Sequence, residues 1–295
     1  MCYLLNLYTI LNRVKNMTVG EFRNYTDDEL KHLQDLELMI LKDVVKLFDK
    51  HNLKYYMYGG TLLGTIRHKG FIPWDDDIDL ILFRDDYDKA LEVINKELSD
   101  KYSVVQMDYI EDCFSSMAVI SLKGTTFGRW YSKYVSHEIG IHIDLFPLDN
   151  IPNNYTLGII QYYLYRFAYQ FVINSIIKMD MYTKLMTKLH HMVYHILNFL
   201  PINPRTWKKM LTKTMTFNNK KETEKVVDWF NLCGFMPYEK DYFEPALKAK
   251  FEDFEVRIPN KYDEILTQIY GDYMKIPPEK DRYNAAPDVL DFGNY

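Results

Sequence analysis

Apolar residues recur at helical spacing early in the chain: Leu33, Leu36, Ile40, Val44 and Leu47 fall on one face of a helix. Thr26 followed by Glu29 supplies a capping box just ahead of that stripe, and His51-Asn52 offers an end. Residues 55–58 read as a short strand running into Gly59-Gly60, residues 61–67 as a short helix, and residues 71–74 as a connection. Residues 77–83 read as a strand with a continuous apolar end at Leu80, Ile81 and Leu82. Asp86 opens a second helix that turns Tyr87, Ala90, Leu91, Ile94 and Leu98 inward. Residues 102–106 and 117–122 are further strand candidates. Residues 140–146 alternate cleanly, with Ile141, Ile143 and Leu145 on one face and His142 and Asp144 on the other.

The pattern changes after residue 155. Tyr, Leu, Ile, Met and Lys dominate up to about residue 231, with Pro201 and Pro204 as the main breaks, and several helices are expected. Residues 156–177 are long enough to cross a bilayer, which takes about 20 apolar residues. Gln161, Arg166, Gln170, Asn174 and many tyrosines interrupt that stretch. A buried helix is the first reading, and an interfacial helix touching a membrane the second. Beyond residue 235 the chain is mixed again, with a turn at Ile258-Pro259, a short helix over residues 261–270, a stop at Pro277-Pro278 and an irregular last fifteen residues. The expected fold is therefore α/β (α+β): a small mixed sheet flanked by helices, with a largely helical insertion. The expected division is a leader over 1–25, a catalytic core over 26–150, a helical segment over 151–240, and a C-terminal segment over 241–295 that packs on the core. Met17 is an alternative translation start, which would make the apolar leader an artefact.

Composition narrows the function. The net charge of −5, from 36 basic and 41 acidic residues, argues against a general nucleic-acid binder. Cys2, Cys113 and Cys233 are widely spaced, so neither a disulfide framework nor a cysteine zinc site is expected, and a reducing cytoplasm is the default. His191 and His195 have i, i+4 spacing on a helix that also carries His190. Met192 stands where a metalloprotease motif needs Glu, so ordinary polar-face histidines are the preferred reading.

The chemistry concentrates in GGTLLGTIRHKGFIPWDDDID, residues 59–79. On a strand Asp77 and Asp79 share a face, about 6–7 Å apart, where two carboxylates can hold Mg²⁺ or Mn²⁺ for a phosphate-bearing substrate. Asp75 joins them if the strand starts early. An EF-hand counted from Asp75 fails, because Leu80 and Asp86 stand where Gly and Glu are needed. A solvated acidic turn is opposed by the apolar residues of the same strand. An Asp-x-Asp of a sugar-nucleotide glycosyltransferase stays open. Gly59-Gly60 lets a backbone approach a phosphate at a helix start, but it fits neither the dinucleotide fingerprint nor the P-loop. Arg67, His68 and Lys69 are candidates for pairing with donor phosphates. Lys123, beside Gly124, is a weaker candidate that a surface turn explains as well.

GGTLLGTIRHKGFIPWDDDIDL resembles the signature of the LicD family, phosphocholine-transferase relatives within the nucleotidyltransferase superfamily. HIDLFPLD, residues 142–149, resembles the family's second block, and IPNKYDEILTQIYGDYMKIPP, residues 258–278, its C-terminal block. The resemblance is good over 30–150, fair over 255–280 and poor between. It implies a sheet of nucleotidyltransferase type. It implies that Asp77, Asp79 and Asp144 hold Mg²⁺ or Mn²⁺, that Gly59, Gly60 and Thr61 receive donor phosphates, and that Asp144 activates the acceptor hydroxyl. The implied donor is CDP-activated, with choline leading and ribitol phosphate an alternative. The implied acceptor is a cell-surface glycan such as lipopolysaccharide or teichoic acid, or its lipid-linked precursor. Trp74, Trp130, Tyr131 and Tyr134 are candidates for a choline cage. The expected place of action is the cytoplasm, with peripheral contact at the inner face of the membrane. A glycosyltransferase, or a binding homologue without catalysis, is the alternative.

Overall fold

A computed structural model describes residues 24–129, 132–176, 203–231, 234–282 and 286–295, together with positions 192, 195, 196 and 199. Expectations for residues 1–23 of the leader, Cys2 among them, and for Trp130, Tyr131, His190, His191 and Cys233 fall outside the described residues.

Helix α1 (Asp27–Lys50) starts at the expected capping box, with the Thr26 hydroxyl accepting from the Glu29 amide. Its apolar stripe is fully buried, and Gln34 and Glu37 are buried with it. Strand β1 (Tyr56–Met57) leads into α2 (Gly59–Arg67), which begins at the two glycines and not at Thr61. Strand β2 (Asp79–Phe83), α3 (Arg84–Glu97), β3 (Tyr102–Val105), β4 (Ala118–Leu122), β5 (Thr126–Gly128) and β6 (His142–Ile151) follow. The mixed sheet runs β1-β2-β6-β4-β3. β2 and β6 pair in parallel, with Asp79 opposite Asp144, whereas β4 meets β6 antiparallel.

The stretch expected to be helical divides differently. Helices α4 (Tyr155–Ile176) and α5 (Pro204–Thr216) form, the latter capped by Asn203 with Pro204 in its first turn. Residues 225–228 are a strand, β7 (Lys225–Asp228), which pairs with the far half of β6 and places Asp228 opposite Leu148. β8 (Pro237–Glu239) pairs with β7 and extends the sheet. The physical reason is short and local. Val226-Val227 is a β-branched pair wholly buried against both neighbours, too brief to stand out from the helical background.

A hairpin, β9 (Leu247–Phe251) with β10 (Phe254–Ile258), precedes α6 (Tyr262–Tyr270). Its turn uses Glu252 at φ 54° where a glycine or asparagine signal would be usual, so the sequence hides it. The last fifteen residues are not wholly irregular: β11 (Val289–Asp291) pairs antiparallel with β5. A second apolar cluster, centred on Tyr165, Val172, Leu211, Val227 and Trp229, joins α4 and α5 to the sheet.

Buried Asp149 locks that junction. It accepts from Arg84 Nε at 2.8 Å and Nη2 at 2.6 Å, from Asn219 Nδ2 at 2.5 Å and from the Trp229 indole at 3.0 Å.

Candidate active site

The acids converge where α2, β2 and β6 begin. Parallel neighbours lie about 4.8 Å apart, so the register sets the Asp79 and Asp144 side chains beside each other. The Thr61 hydroxyl accepts the Asp79 amide at 2.8 Å, the Tyr58 amide donates to the Asp79 carbonyl at 3.0 Å, and the Asp144 amide donates to the Ile78 carbonyl at 2.8 Å. The backbone that carries both acids is thus fixed at every step.

The glycines are there because the carboxylates are close. A Cβ on Gly59, whose φ is +52°, would stand 2.6 Å from Asp79 Oδ2, and one on Gly60 would stand 2.9 Å from Asp75 Oδ2. The Cβ sides of Gly59 and Gly60 therefore face carboxylate oxygens.

The remaining acids complete the cluster. Gln34 Nε2 donates to the Asp75 carbonyl at 2.9 Å, and the Tyr25 hydroxyl donates to Asp76 at 2.9 Å. Glu37, only 2% exposed in the middle of α1, lies within electrostatic reach of Asp77, Asp76, Asp75 and Asp144, and its Oε2 has no hydrogen-bond partner. Asp144 Oδ1 likewise has none; His142 Nε2 stands 3.8 Å away.

Burial, then mutual repulsion, raises the whole set. Asp77 is pushed up to about 6 and Asp144 to about 7, each opposed by Arg129, while Asp79, Asp75 and Glu37 are held well above the ordinary carboxylate range. Burial lowers His142 to about 4, leaving its ring neutral near pH 7; its Nδ1 lies 2.8 Å from the Gly140 carbonyl.

These oxygens suit a hard divalent cation in chemistry and in need. Orphaned carboxylate oxygens in a crowded anionic pocket lose their penalty when a cation enters. Among the described residues no three His, Cys, Asp or Glu side chains converge closely enough to enclose a metal by themselves. Mg²⁺ matches that limit, because it is commonly held by one or two carboxylates with substrate phosphates and water completing its shell.

The other expected residues divide. Arg67 Nη1 donates to the Tyr273 carbonyl at 2.7 Å, binding α2 to the segment after α6. His68 stacks edge-on to Trp74 at 6.3 Å, and the Arg282 guanidinium lies 4.7 Å over the same indole. Lys69 is exposed at φ 63°, its carbonyl receiving the Glu252 amide. Lys123 donates to the Ser99 carbonyl at 2.6 Å, as a surface turn would have it. His195 is an exposed helix residue. The geometry thus gathers Gly59, Gly60, Thr61, Asp75, Asp77, Asp79 and Asp144, with Arg67, at the far end of α2, still within electrostatic reach of Asp75.

Three residues that sequence reasoning did not single out belong to the site. Glu37 lies within the apolar stripe between Leu33 and Ile40, a charge on a buried face that was a legible signal. Arg129 tempers Asp76, Asp77 and Asp144, and gave no signal in its own segment. Asp228 adds its charge to the surroundings of Asp79 and was hidden in a segment expected to be helical.

Comparison with known proteins gives the family. Residues 52–180 match the family model described as LicD/FKTN/FKRP, nucleotidyltransferase domain. The chain is 30% identical over 245 residues to the lipopolysaccharide cholinephosphotransferase LicD of Haemophilus influenzae, covering 80% of this chain and 88% of that protein. The chain belongs to the LicD family. This LicD-family chain is also 42% identical over 107 residues to the ribitol 5-phosphate transferase FKRP of mouse and of human, an overlap that spans 35% of this chain and 18% of each relative. The family model contains the start of α2, all of β2 and all of β6, so the matched region and the acidic site coincide.

Proposed function

We propose that this protein is a metal-dependent transferase that moves phosphocholine, or a related phospho-alcohol, from a CDP-activated donor onto a cell-surface glycan or its lipid-linked precursor. One observation carries the reading. Asp79 and Asp144 stand side by side on parallel strands, against a glycine-led helix start that has room only because Gly59 lacks a side chain. The relatives named above act on choline phosphate and on ribitol 5-phosphate, which favours a phospho-alcohol over a hexose as the transferred group.

Asp79 and Asp144, supported by Asp77, would hold Mg²⁺ or Mn²⁺. When bound, the cation neutralises charge on the donor diphosphate. The first amides of α2 orient the donor phosphates. Asp144, ionised in the loaded site, would take the proton of the acceptor hydroxyl. The acceptor oxygen then bonds to the phosphorus of the phospho-alcohol, the bridging P–O bond to the other phosphate breaks, and CMP leaves. Neutral His142 beside Asp144 keeps a second positive charge from competing with the cation.

The proposed place of action is the cytoplasmic face of a membrane. Among the described residues no helix is long and apolar enough to cross one. Helix α4 nonetheless exposes Leu157, Ile160, Leu164 and Phe167, a stripe suited to peripheral contact. Co-sedimentation with anionic vesicles should fall when Leu164 and Phe167 are both replaced by Asp; unchanged sedimentation would remove this part of the proposal.

A donor screen by mass spectrometry tests the reaction. Protein with Mg²⁺ is offered CDP-choline, CDP-ribitol, CDP-glycerol and UDP-sugars with a lipid-linked glycan acceptor. CMP release that disappears in Asp79→Asn supports the transferase. UDP release, or no turnover of any donor, overturns it.

A further inference from the structure

Two hydrogen-bond acceptors face each other at the start of β6. His142 Nδ1 lies 2.8 Å from the Gly140 carbonyl. A carbonyl can only accept, so in the neutral ring Nδ1 carries the proton and Nε2 keeps its lone pair. Nε2 is the nitrogen that stands 3.8 Å from Asp144 Oδ1, an oxygen that is itself buried and has no hydrogen-bond partner. The gap is too wide for a direct hydrogen bond. His142 and Asp144 are two positions apart on one strand, so both side chains leave the same face of the sheet.

The ring is held before anything binds. His142 pairs with Ser121 of β4 in the sheet, and the edge of Phe127 meets the imidazole at 5.0 Å between centroids with the planes at 90°. The carbonyl that fixes the tautomer is fixed in turn. The Gly140 amide donates to Ser121 Oγ at 2.7 Å, and a Cβ on Gly140 would collide with the Leu122 carbonyl and the Thr125 hydroxyl. That hydroxyl donates to the Leu122 carbonyl at 2.8 Å and accepts the Ile141 amide at 2.9 Å. The turn into β6 is thus shaped around a glycine whose oxygen sets the histidine.

An imidazole tied through one nitrogen to a backbone carbonyl is how proteins present the other nitrogen to a metal: the tie fixes tautomer and orientation and raises ligand basicity. A water in the gap could donate to both acceptors, but it would leave the mutual repulsion of Asp77, Asp79 and Asp144 in place. A cation removes that repulsion and satisfies both acceptors. The 3.8 Å span is within reach of one ion with bonds of about 2.1 Å to each donor.

We propose that His142 is a nitrogen ligand of the metal, through Nε2 beside Asp144, and that it tilts the site from Mg²⁺ toward Mn²⁺. The inference rests on the metal-dependent transferase reading above and adds an imidazole to a set otherwise made of oxygens. Mg²⁺ is a hard ion that takes oxygen, whereas imidazole binds first-row transition ions readily. Substrate phosphates and water complete the shell.

The test uses the whole chain loaded with Mn²⁺ and no donor, so it needs no turnover. Electron spin-echo modulation reports a nitrogen bonded to the ion. Wild type should show nitrogen coupling that takes the ¹⁵N pattern in protein grown with ¹⁵N-labelled histidine, a result that depends on no variant. The coupling should vanish in His142→Gln. Mn²⁺ affinity, followed by the free-ion signal, should fall about tenfold or more in that variant, since loss of an outer partner alone costs about 10–100-fold. Mg²⁺ affinity, measured by competition against Mn²⁺, should fall less. Absence of histidine coupling in wild type, coupling that persists in His142→Gln, or equal losses for the two ions overturns the inference. Failure of wild type to bind either ion is the distinct result that removes the metal reading beneath it.

Discussion

Gly59 and Asp79 meet at the limit of contact: any side chain on the first would press its Cβ to 2.6 Å from Oδ2 of the second. Gly59→Ala therefore does two things. It forces an L-residue to φ +52°, at a cost of about 1 kcal/mol. It also displaces the Asp79 carboxylate, and a shift of that size costs about a hundredfold in turnover. Gly124→Ala is the matched control, since Gly124 has φ +80° and nothing within 4 Å of its would-be Cβ. It should show the strain in a thermal melt and keep CMP release. Full activity in Gly59→Ala would contradict the placement of Asp79 at the reaction.

The raised carboxylates fix the sign of a pH effect. Asp77 near 6 and Asp144 near 7 both lie above the ordinary 3.8 of the unfolded chain. The folded form thus binds protons more tightly than the unfolded one. Their contribution to stability is complete below 3.8 and is lost as pH rises through 6 and 7. In chelator-treated protein, the melting temperature of wild type should fall relative to Asp144→Asn between about pH 5 and about pH 8. Added Mg²⁺ should restore much of the loss in wild type, about 2.7 kcal/mol at a hundred times the dissociation constant. Parallel melting curves for the two proteins would refute the argument.

Glu37 makes a sharper version of the same point. Burial holds it as a neutral acid, with Asp75, Asp76, Asp77 and Asp144 adding repulsion. Glu37→Gln is nearly isosteric with that acid. It should melt with wild type near pH 5 and above it near pH 8, where ionisation is pressed on the glutamate alone. A variant that melts lower at both values would show that the native carboxyl makes a favourable interaction that the amide cannot reproduce.

Asp149 lies on the same strand as Asp144 and has a different task. Its oxygens are saturated by Arg84, Asn219 and Trp229. Arg84→Ala strands a fully buried charge, and loss of one partner of such a pair costs about 3–5 kcal/mol. Urea denaturation should show that loss. An effect confined to catalysis would mean that the pair had been assigned the wrong role.

The fold class was legible in the sequence, and so was the position along the chain of the candidate site. The acids, the glycines and Thr61 are contiguous in two short blocks, and the alternation around Asp144 set its face. The register that pairs Asp79 with Asp144 joins strands far apart in the chain, and nothing local encodes it. Val226-Val227, the turn at Glu252 and the strand at Val289–Asp291 were missed because each is brief, and is held by partners elsewhere in the sheet or the hairpin and not by local propensity. Arg67 makes a contact that nothing local announced: its Nη1 donates to the backbone carbonyl of Tyr273, far along the chain.

The parallel pairing of β2 with β6 also has a kinetic meaning. The two carboxylates stay apart in the chain until β6 has been made and has docked across the whole of α3, β3, β4 and β5. Such long-range parallel contacts form slowly and late. During synthesis Asp144 therefore joins the contiguous acids of the β2 block last. The repulsion between Asp79 and Asp144 arises only when most of the hydrophobic sheet is present to bear it. Capture of Mn²⁺, followed in time during refolding, would then serve as a clock for the arrival of β6.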